Sequence, residues 1–161
     1  MKPERPARAS LCAVLRHDLE AMRRMDAELV SLLPELAPDR GTFRDWAAVG
    51  YLLHNLYNAL ENSFEQISRT FENHVVDVSR WHRELLDKMF LDIPGVRPPV
   101  LTQALRPLLH DLLGFRHLFR HSYDFNLDPA RLARLSADWN SAKKELFAAL
   151  QAFSDSLLID P

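Results

Sequence analysis

The sequence predicts an all-α protein, an antiparallel bundle of four or five helices. Only four glycines occur in 161 residues, and apolar residues recur three and four positions apart along most of the chain, as they do on the buried face of a helix. No segment alternates apolar and polar residues in the manner of a half-buried strand. The length suits one domain, residues 1–161, in which residues 1–8 are expected to form a flexible N-terminal tail.

Two long helices are expected in the first half of the chain. The first begins near Ala9 or Ser10 and ends in the stretch LPELAPDRG, whose two prolines and glycine stop a helix. Thr42 is the expected N-cap of the second helix. The apolar positions of the second helix follow one another three or four residues apart without a slip: Phe43, Trp46, Gly50, Leu53, Tyr57, Leu60, Phe64, Ile67 and Phe71. Such a series is typical of a helix in a bundle.

The second half of the chain is expected to hold one short helix and two longer ones. The short helix covers residues 77–90, and the stretch DIPGVRPP breaks it. The next helix begins near Pro99, and Pro107 within it predicts either a kink or a broken first part. The last helix starts at LDPARL, with Asp128 as its N-cap and Pro129 at its first helical position.

The overall composition argues against several classes of protein. The net charge of −2 provides no overall basic field for nucleic acid, so any phosphate recognition must depend on a few arginines. The single cysteine, Cys12, has no partner for an intramolecular disulfide, which suits a reducing cytosol. No apolar run approaches the ~18 residues of a membrane span, and the charged N-terminus does not resemble a signal peptide. The expected location is the cytoplasm.

One stretch, GFRHLFRHSYDF at residues 114–125, concentrates polar groups suited to chemistry. These groups are Arg116, His117, Arg120, His121 and Tyr123. Histidine titrates near neutrality and can move protons, while arginine offers a fixed fork of donors to phosphate oxygens. Together they suit attack by a ribose 2′-hydroxyl on its neighbouring phosphate, a reaction that needs no metal and no cofactor. The sequence contains no metal-ligand pattern such as HExxH or CxxC.

The spacing of these groups on a helix raises a geometric question. His121 follows Arg116 by five residues, which places it ~140° away around a continuous helix. Either the helix ends or loosens near Phe119, or a two-fold partner subunit completes the site with its own copies. A second line on this helix begins apolar and turns basic: Leu109, Leu113, Arg116, Arg120 and Tyr123. A monomeric bundle seldom needs such a line, so a homodimer is expected.

The same stretch resembles a known family. Arg116, four intervening residues and His121-Ser122-Tyr123 form the pattern R-x4-H-x-Y. This pattern is similar to the signature of HEPN domains and more closely to that of HepT-like toxins, in which a polar residue such as His117 often follows the arginine. LLHNLYNALENSFEQISRTFENH resembles the long second helix of that group, and DPARL resembles the start of its last helix. The resemblance covers most of the chain.

The resemblance implies a function and a set of residue roles. HEPN proteins are helical bundles that dimerise, and many are metal-independent endoribonucleases. HepT-like members are toxins paired with a minimal nucleotidyltransferase antitoxin. Arg116 would bind the scissile phosphate and His121 would act as base or acid, with His117 and Arg120 as supporting residues that bind RNA. The antitoxin can silence such toxins by transferring AMP to the motif tyrosine, here Tyr123, where the added anion would compete with substrate phosphate.

Ordinary structural roles stay open for these residues and for others. Arg116 could cap the C-terminal end of its helix, His121 could lie on the surface, and Tyr123 could pack as an aromatic. His117 and Arg120 could belong to a solvated face. A polar line on the second helix is also expected to be a solvated face, although one member could orient His121: Asn58, Glu61, Asn62 and Glu65. Four further histidines are expected to have surface or structural roles: His54, His74, His82 and His110.

Three hypotheses follow for the function. The first is a metal-independent endoribonuclease toxin of a type VII-like toxin–antitoxin system. It would cleave RNA such as tRNA or mRNA as a homodimer and be silenced by AMP on Tyr123. The second is a non-catalytic helical partner or substrate protein of a nucleotidyltransferase. The third is a dimeric helical scaffold.

Overall fold

Five α-helices make up the described part of the chain. The computed structural model describes residues 3–72, 81–121 and 126–159. The helices are α1 (Arg5–Leu32), α2 (Phe43–Glu72), α3 (Trp81–Lys88), α4 (Arg106–His121) and α5 (Pro129–Ser156), with 3-10 turns at Leu33–Glu35 and Gln103–Leu105. The described residues contain no β-strand, only two isolated bridges within turns. The predicted all-α bundle is confirmed.

The central element is α2, which packs against each of the other four helices. Its predicted apolar series supplies much of the core, with side chains almost completely buried at Trp46, Leu53, Tyr57, Leu60, Phe64 and Ile67. The two ends of the series differ, because 73% of the Phe43 surface is exposed and Phe71 is only partly buried. Gly50 permits close approach of α4, since a Cβ at this position would lie 3.1 Å from Cε2 of Phe119.

Side-chain caps start α2 and α5 where they are predicted. The backbone N–H of Thr42 donates to the carboxylate of Asp45 at 2.7 Å, and the Thr42 hydroxyl accepts from the Asp45 backbone N–H at 3.3 Å. The Asp128 carboxylate accepts from the backbone N–H groups of Ala130 and Arg131 at 3.1 and 3.3 Å. Both caps satisfy backbone donors that have no partner within the helix.

The beginning of α1 differs from the expectation. The helix begins at Arg5 rather than near Ala9 or Ser10, so residues 5–8, which were expected in a flexible tail, are helical. Pro6 lies in the first turn, where its missing N–H would have no partner in any case. The composition of the proline-rich start of the chain therefore suggests a flexible tail, although the same residues are compatible with a helix.

The start of α4 also differs from the expectation. The helix begins at Arg106 rather than near Pro99, and Pro107 lies in its first turn rather than in its interior. The 3-10 turn at Gln103–Leu105 precedes it. Of the two expectations for Pro107, the broken first part is therefore confirmed. The short third helix covers Trp81–Lys88, and its expected start at Asp77 lies outside the described residues.

A buried ion pair fixes the connection between α3 and α4. The Arg97 guanidinium, whose side chain is fully buried, binds the Glu72 carboxylate at the end of α2 and the backbone carbonyl of Lys88. Lys88 Nζ binds the same carboxylate at 3.2 Å. Burial by itself raises the pKa of Glu72, but hydrogen bonds and charges from Arg97 and Lys88 outweigh it and hold the pKa below its ordinary value.

The second line on α4 is partly covered by the chain itself. Leu109 is fully buried and Arg116 is nearly so, while Leu113 is half-buried and Arg120 is exposed. Because α2 and α3 pack against α4, Leu109 belongs to the core of a single chain, and the expectation that it meets a partner subunit is wrong. The homodimer itself stays a prediction. Among the described helices, none combines the length and apolar character needed to cross a membrane.

Candidate active site

Arg116 faces the interior of the bundle from α4. It follows Phe115, which belongs to the core, and the packing of α4 on α2 covers its side chain, leaving 8% exposed. An unpaired guanidinium at this depth would carry a large desolvation cost. Arg116 must therefore have polar partners, and the two found in the described part of the chain lie on α2.

Two α2 side chains hold the guanidinium. Arg116 Nε donates to Asn58 Oδ1 at 2.8 Å, and Nη2 lies 3.0 Å from Glu61 Oε1, on a side chain that is also 8% exposed. Asn58 and Glu61 are three residues apart, so one face of α2 presents both. Nη1 makes no hydrogen bond among the described residues. The guanidinium is thus fixed in direction, with one nitrogen left for a further acceptor.

Two histidines extend this cluster on either side. Asn58 uses its oxygen for Arg116, so its amide N–H donates to Nε2 of His54 at 3.0 Å. On the other side, His82 Nδ1 donates to Glu61 Oε2 at 2.8 Å. We call this set the Arg116 cluster, and it consists of His54, Asn58, Glu61, His82 and Arg116. Its members come from α2, α3 and α4, so it exists only when these three helices are packed together.

Burial and nearby charges shift the pKa values of His54, a member of the cluster, and of Tyr57 on the same helix. Burial, then the positive charges of Arg116 and Arg120, lower the pKa of His54, which is therefore neutral at pH 7. This agrees with its Nε2 accepting a hydrogen bond. Burial, then the negative charge of Glu61, raise the pKa of Tyr57 far above its ordinary value. The Tyr57 hydroxyl and His54 Nδ1 are buried and find no hydrogen-bond partner among the described residues.

Three further predicted residues lie on the outside of the same helix end. His117, Arg120 and His121 are all exposed, and the rings of His117 and His121 contact each other with centroids 4.8 Å apart. Tyr123 lies outside the described residues.

Arg116 and His121 do not share a face within one chain. Since α4 is continuous through Phe119 to His121, the helix does not end near Phe119, and the five-residue spacing turns His121 ~140° away from Arg116. Of the two ways to bring Arg116 and His121 together, the one that needs the helix to end early is wrong. The arrangement that uses a partner subunit stays a prediction.

The expectation that the polar line on α2 is a solvated face is wrong for Asn58 and Glu61 but is confirmed for Asn62, which is exposed. Asn58 and Glu61 hold Arg116, and Asn62 donates to the buried carboxylate of Asp18 at 2.8 Å. Glu65 is only partly exposed and pairs with Arg69 one turn further along. The reason is that α4 packs against α2, so Asn58 and Glu61 have Arg116 as their partner instead of water.

Two histidines that were expected on helix surfaces also belong to the Arg116 cluster. The spacing of His54, Asn58 and Glu61 by four and three residues was a signal in the sequence that these polar groups share one helix face. No sequence signal marks His82, which reaches Glu61 only because α3 packs against α2. His110 pairs with Asp87 at 2.9 Å, and His74 lies outside the described residues.

The described residues hold no group of three or more histidine, cysteine, aspartate or glutamate side chains placed to bind a metal ion. The Arg116 cluster instead offers a fixed cation, a buried carboxylate and two imidazoles. These groups can bind an oxyanion and move protons.

Comparison with known proteins agrees with this architecture. A family model described as HepT-like protein matches residues 48–157, which span α2 to α5 and include every member of the Arg116 cluster. No curated protein and no solved structure matches the chain. The match covers well over half of the 161 residues, and the helical bundle has the form expected of such a protein. The chain therefore belongs to the HepT-like family of the HEPN superfamily.

Proposed function

We propose that this protein is a cytoplasmic, metal-independent endoribonuclease toxin of a type VII-like toxin–antitoxin system, active as a homodimer. Family membership supports a ribonuclease of the HEPN type in general terms. The observation that carries the specific proposal is the fixed guanidinium of Arg116. Its Nε and Nη2 are held by Asn58 and Glu61, and its Nη1 makes no hydrogen bond among the described residues.

The arginine would act on the phosphate of the cleaved bond. A guanidinium held in one orientation can stabilise the negative charge that develops on phosphate oxygens during attack, at little cost of reorganisation. His121 would take part in proton transfer, and the exposed His117 and Arg120 at the same end of α4 would contact the RNA backbone. The 2′-hydroxyl attacks the adjacent phosphorus, and the bond to the 5′ oxygen breaks.

The proposed site is composite, because α4 turns Arg116 and His121 to different faces of one chain. Two chains related by a two-fold axis would place His121 of the partner subunit opposite Arg116. A mixing experiment tests this arrangement. Arg116→Lys and His121→Ala are each inactive on their own, but heterodimers of the two contain one intact site, so about a quarter of wild-type activity returns. Absence of any recovery, with heterodimers demonstrated by mass, would exclude this composite site.

The basic test of the function is RNA cleavage by the purified protein without any antitoxin. Arg116→Lys is preferable to Arg116→Ala because it keeps a positive charge opposite Glu61 while removing the planar fork. We expect cleavage by the wild type in the presence of EDTA and its loss in Arg116→Lys and His121→Ala. His17→Ala, which changes a 78% exposed histidine on α1, is the matched control and retains activity. Cleavage that EDTA abolishes would contradict a metal-independent mechanism.

Silencing is proposed to act through Tyr123. A minimal nucleotidyltransferase would transfer AMP to its hydroxyl, and the added phosphate would compete with RNA for the basic residues near the end of α4. The Tyr123→Phe variant lacks the acceptor hydroxyl and is expected to stay toxic when the antitoxin is produced with it. Full rescue of growth by the antitoxin despite this change would mean that contact alone inhibits the toxin.

A second candidate function is a non-catalytic partner or substrate protein of a nucleotidyltransferase. The observation that favours it is that Arg116 already has an ion-pair partner within its own chain, so the residue has a structural role without any substrate. A tight complex with a nucleotidyltransferase, together with no cleavage of RNA by the isolated wild type, would favour this candidate over the nuclease.

A further inference from the structure

Within a single chain, a shared carboxylate joins Arg116 to His82 and not to His121. Glu61 lies between them: its Oε1 is 3.0 Å from Arg116 Nη2, and its Oε2 accepts from His82 Nδ1 at 2.8 Å. Since one carboxylate binds both groups, the imidazole and the guanidinium are held at a fixed separation.

His82 differs from its partners in being accessible. Its side chain is 41% exposed, whereas those of Glu61 and Arg116 are each 8% exposed. The Nδ1 atom is occupied by Glu61, and Nε2 makes no hydrogen bond among the described residues. A buried carboxylate that orients a histidine through Nδ1 and leaves Nε2 for a reacting group is an arrangement known from hydrolases.

We infer that His82 is the general acid of the proposed RNA cleavage, with Glu61 as its positioning residue. This inference rests on the proposed function and adds a proton-transfer residue that the R-x4-H-x-Y pattern does not contain. The charge balance supports an acid rather than a base. Arg116 and Glu61 cancel each other, so an imidazolium at His82 gives the three residues together the net positive charge that a phosphate requires.

The proposed step is balanced in protons and bonds. The 2′-oxygen attacks phosphorus and loses its proton to His121 of the partner subunit, while the bond between phosphorus and the 5′ oxygen breaks. The proton on Nε2 of His82 goes to that 5′ oxygen as it leaves. The products are a 2′,3′-cyclic phosphate and a 5′-hydroxyl, and proton exchange with water restores both histidines.

A change of leaving group tests the role of His82 directly. The probe is an RNA oligonucleotide containing a bond that the wild type cleaves, compared with the same RNA in which sulfur replaces the bridging 5′ oxygen. A thiolate leaves without being protonated, so the sulfur substrate needs no general acid. His82→Asn is the informative variant, because the asparagine N–H can replace Nδ1 as donor to Glu61 while proton transfer is lost.

We expect His82→Asn to cleave the oxygen substrate about 10²-fold or more slowly than the wild type and the sulfur substrate within about tenfold of it. The matched control is His110→Asn, since His110 is also a half-buried histidine bound to a carboxylate, that of Asp87 at 2.9 Å. The control cleaves both substrates at nearly the wild-type rate. Thermal unfolding checks that each variant is folded. Should His82→Asn not fold, His82→Ala with added imidazole provides the same comparison, and imidazole restores cleavage of the oxygen substrate.

Two results would overturn the inference. Equal losses on the oxygen and sulfur substrates would mean that His82 only supports the position of Glu61. An unchanged rate on the oxygen substrate would mean that the Glu61–His82 pair merely joins α2 to α3. Either result leaves the proposed nuclease standing, because the wild type cleaves RNA in both. Failure of the wild type to cleave any RNA would instead remove the proposed function, and this inference with it.

Discussion

The ion pair between Arg116 and Glu61 makes a quantitative prediction about stability. Replacing Arg116 by Met removes the guanidinium but keeps much of the apolar stem, so the main loss is electrostatic. The Glu61 carboxylate is 8% exposed and would lose its partner at 3.0 Å. Breaking a buried pair in this way costs about 3–5 kcal/mol, since one charge stays buried without compensation.

The expected loss lies at the lower end of this range, about 3 kcal/mol. His82 still donates to Glu61 at 2.8 Å, and its ring is 41% exposed, so part of the carboxylate's charge remains satisfied. For a chain of this size the loss corresponds to a decrease in Tm of about 6–12 °C. The double variant Arg116→Met/Glu61→Leu leaves no buried charge and is expected to recover about 2 kcal/mol of the loss.

The measurement is urea unfolding of both variants, followed by circular dichroism at constant pH. Arg69→Met is the matched control, because Arg69 also pairs with a glutamate on α2, Glu65, but its side chain is 68% exposed. This control should change the free energy of unfolding by less than about 1 kcal/mol. The reasoning is refuted if Arg116→Met costs no more than the control, or if the double variant is no more stable than Arg116→Met alone.

Three further predictions concern the packing of α2, the start of α5 and the dependence of stability on pH. Gly50→Ala should destabilise the protein by about 1 kcal/mol in a denaturant titration, because overpacking against the Phe119 ring outweighs the gain in helix propensity; an increase in stability would show that the ring moves aside freely. Asp128→Ala should lower the free energy of unfolding by about 1 kcal/mol, since two backbone donors of α5 lose their acceptor, and Asp128→Asn should restore most of it. The pKa of Glu72 is lower in the folded state than its ordinary value of 4.5, so the unfolded state binds more protons as the pH falls. The contribution of Glu72 to stability is therefore present above pH 4.5 and is lost as the pH falls through the folded pKa. Glu72→Gln should therefore reduce stability at pH 7 and show a smaller fall in urea midpoint between pH 7 and pH 3 than the wild type; equal falls would mean that the Arg97–Glu72 pair has no such effect.

The sequence was most informative where a local rule decides the structure. The apolar series of α2 and the caps at Thr42 and Asp128 depend only on residues within one turn or one helix face. Apart from the exposed Phe43, the structure confirms them. The same local rules were less informative for prolines. Pro6 and Pro107 each lie in the first turn of a helix, a position that proline tolerates but does not require, so the starts of α1 and α4 were misplaced.

The candidate site also has features that the sequence could predict and features that it could not. The chemistry of Arg116, His117, Arg120 and His121 could be recognised from their types and spacing, because these residues lie within six positions on one helix. The directions in which these side chains point could not be recognised from the sequence. The burial of Arg116 and the exposure of His121 depend on which face of α4 packs against α2. The partners Asn58 and Glu61 were hidden in a polar line that looked solvated until other helices covered it.

By itself, the sequence determined that this protein is a helical bundle of the HepT-like kind with an arginine and histidine motif near the end of α4. The periodicity of apolar residues and the chemistry of individual side chains are properties of a short segment, so they can be identified without knowledge of the fold. Only the tertiary structure decided that Arg116 is held by Asn58 and Glu61 and linked through Glu61 to His82. These residues are distant in sequence, and a buried ion pair arises from the packing of whole helices, which no local pattern encodes.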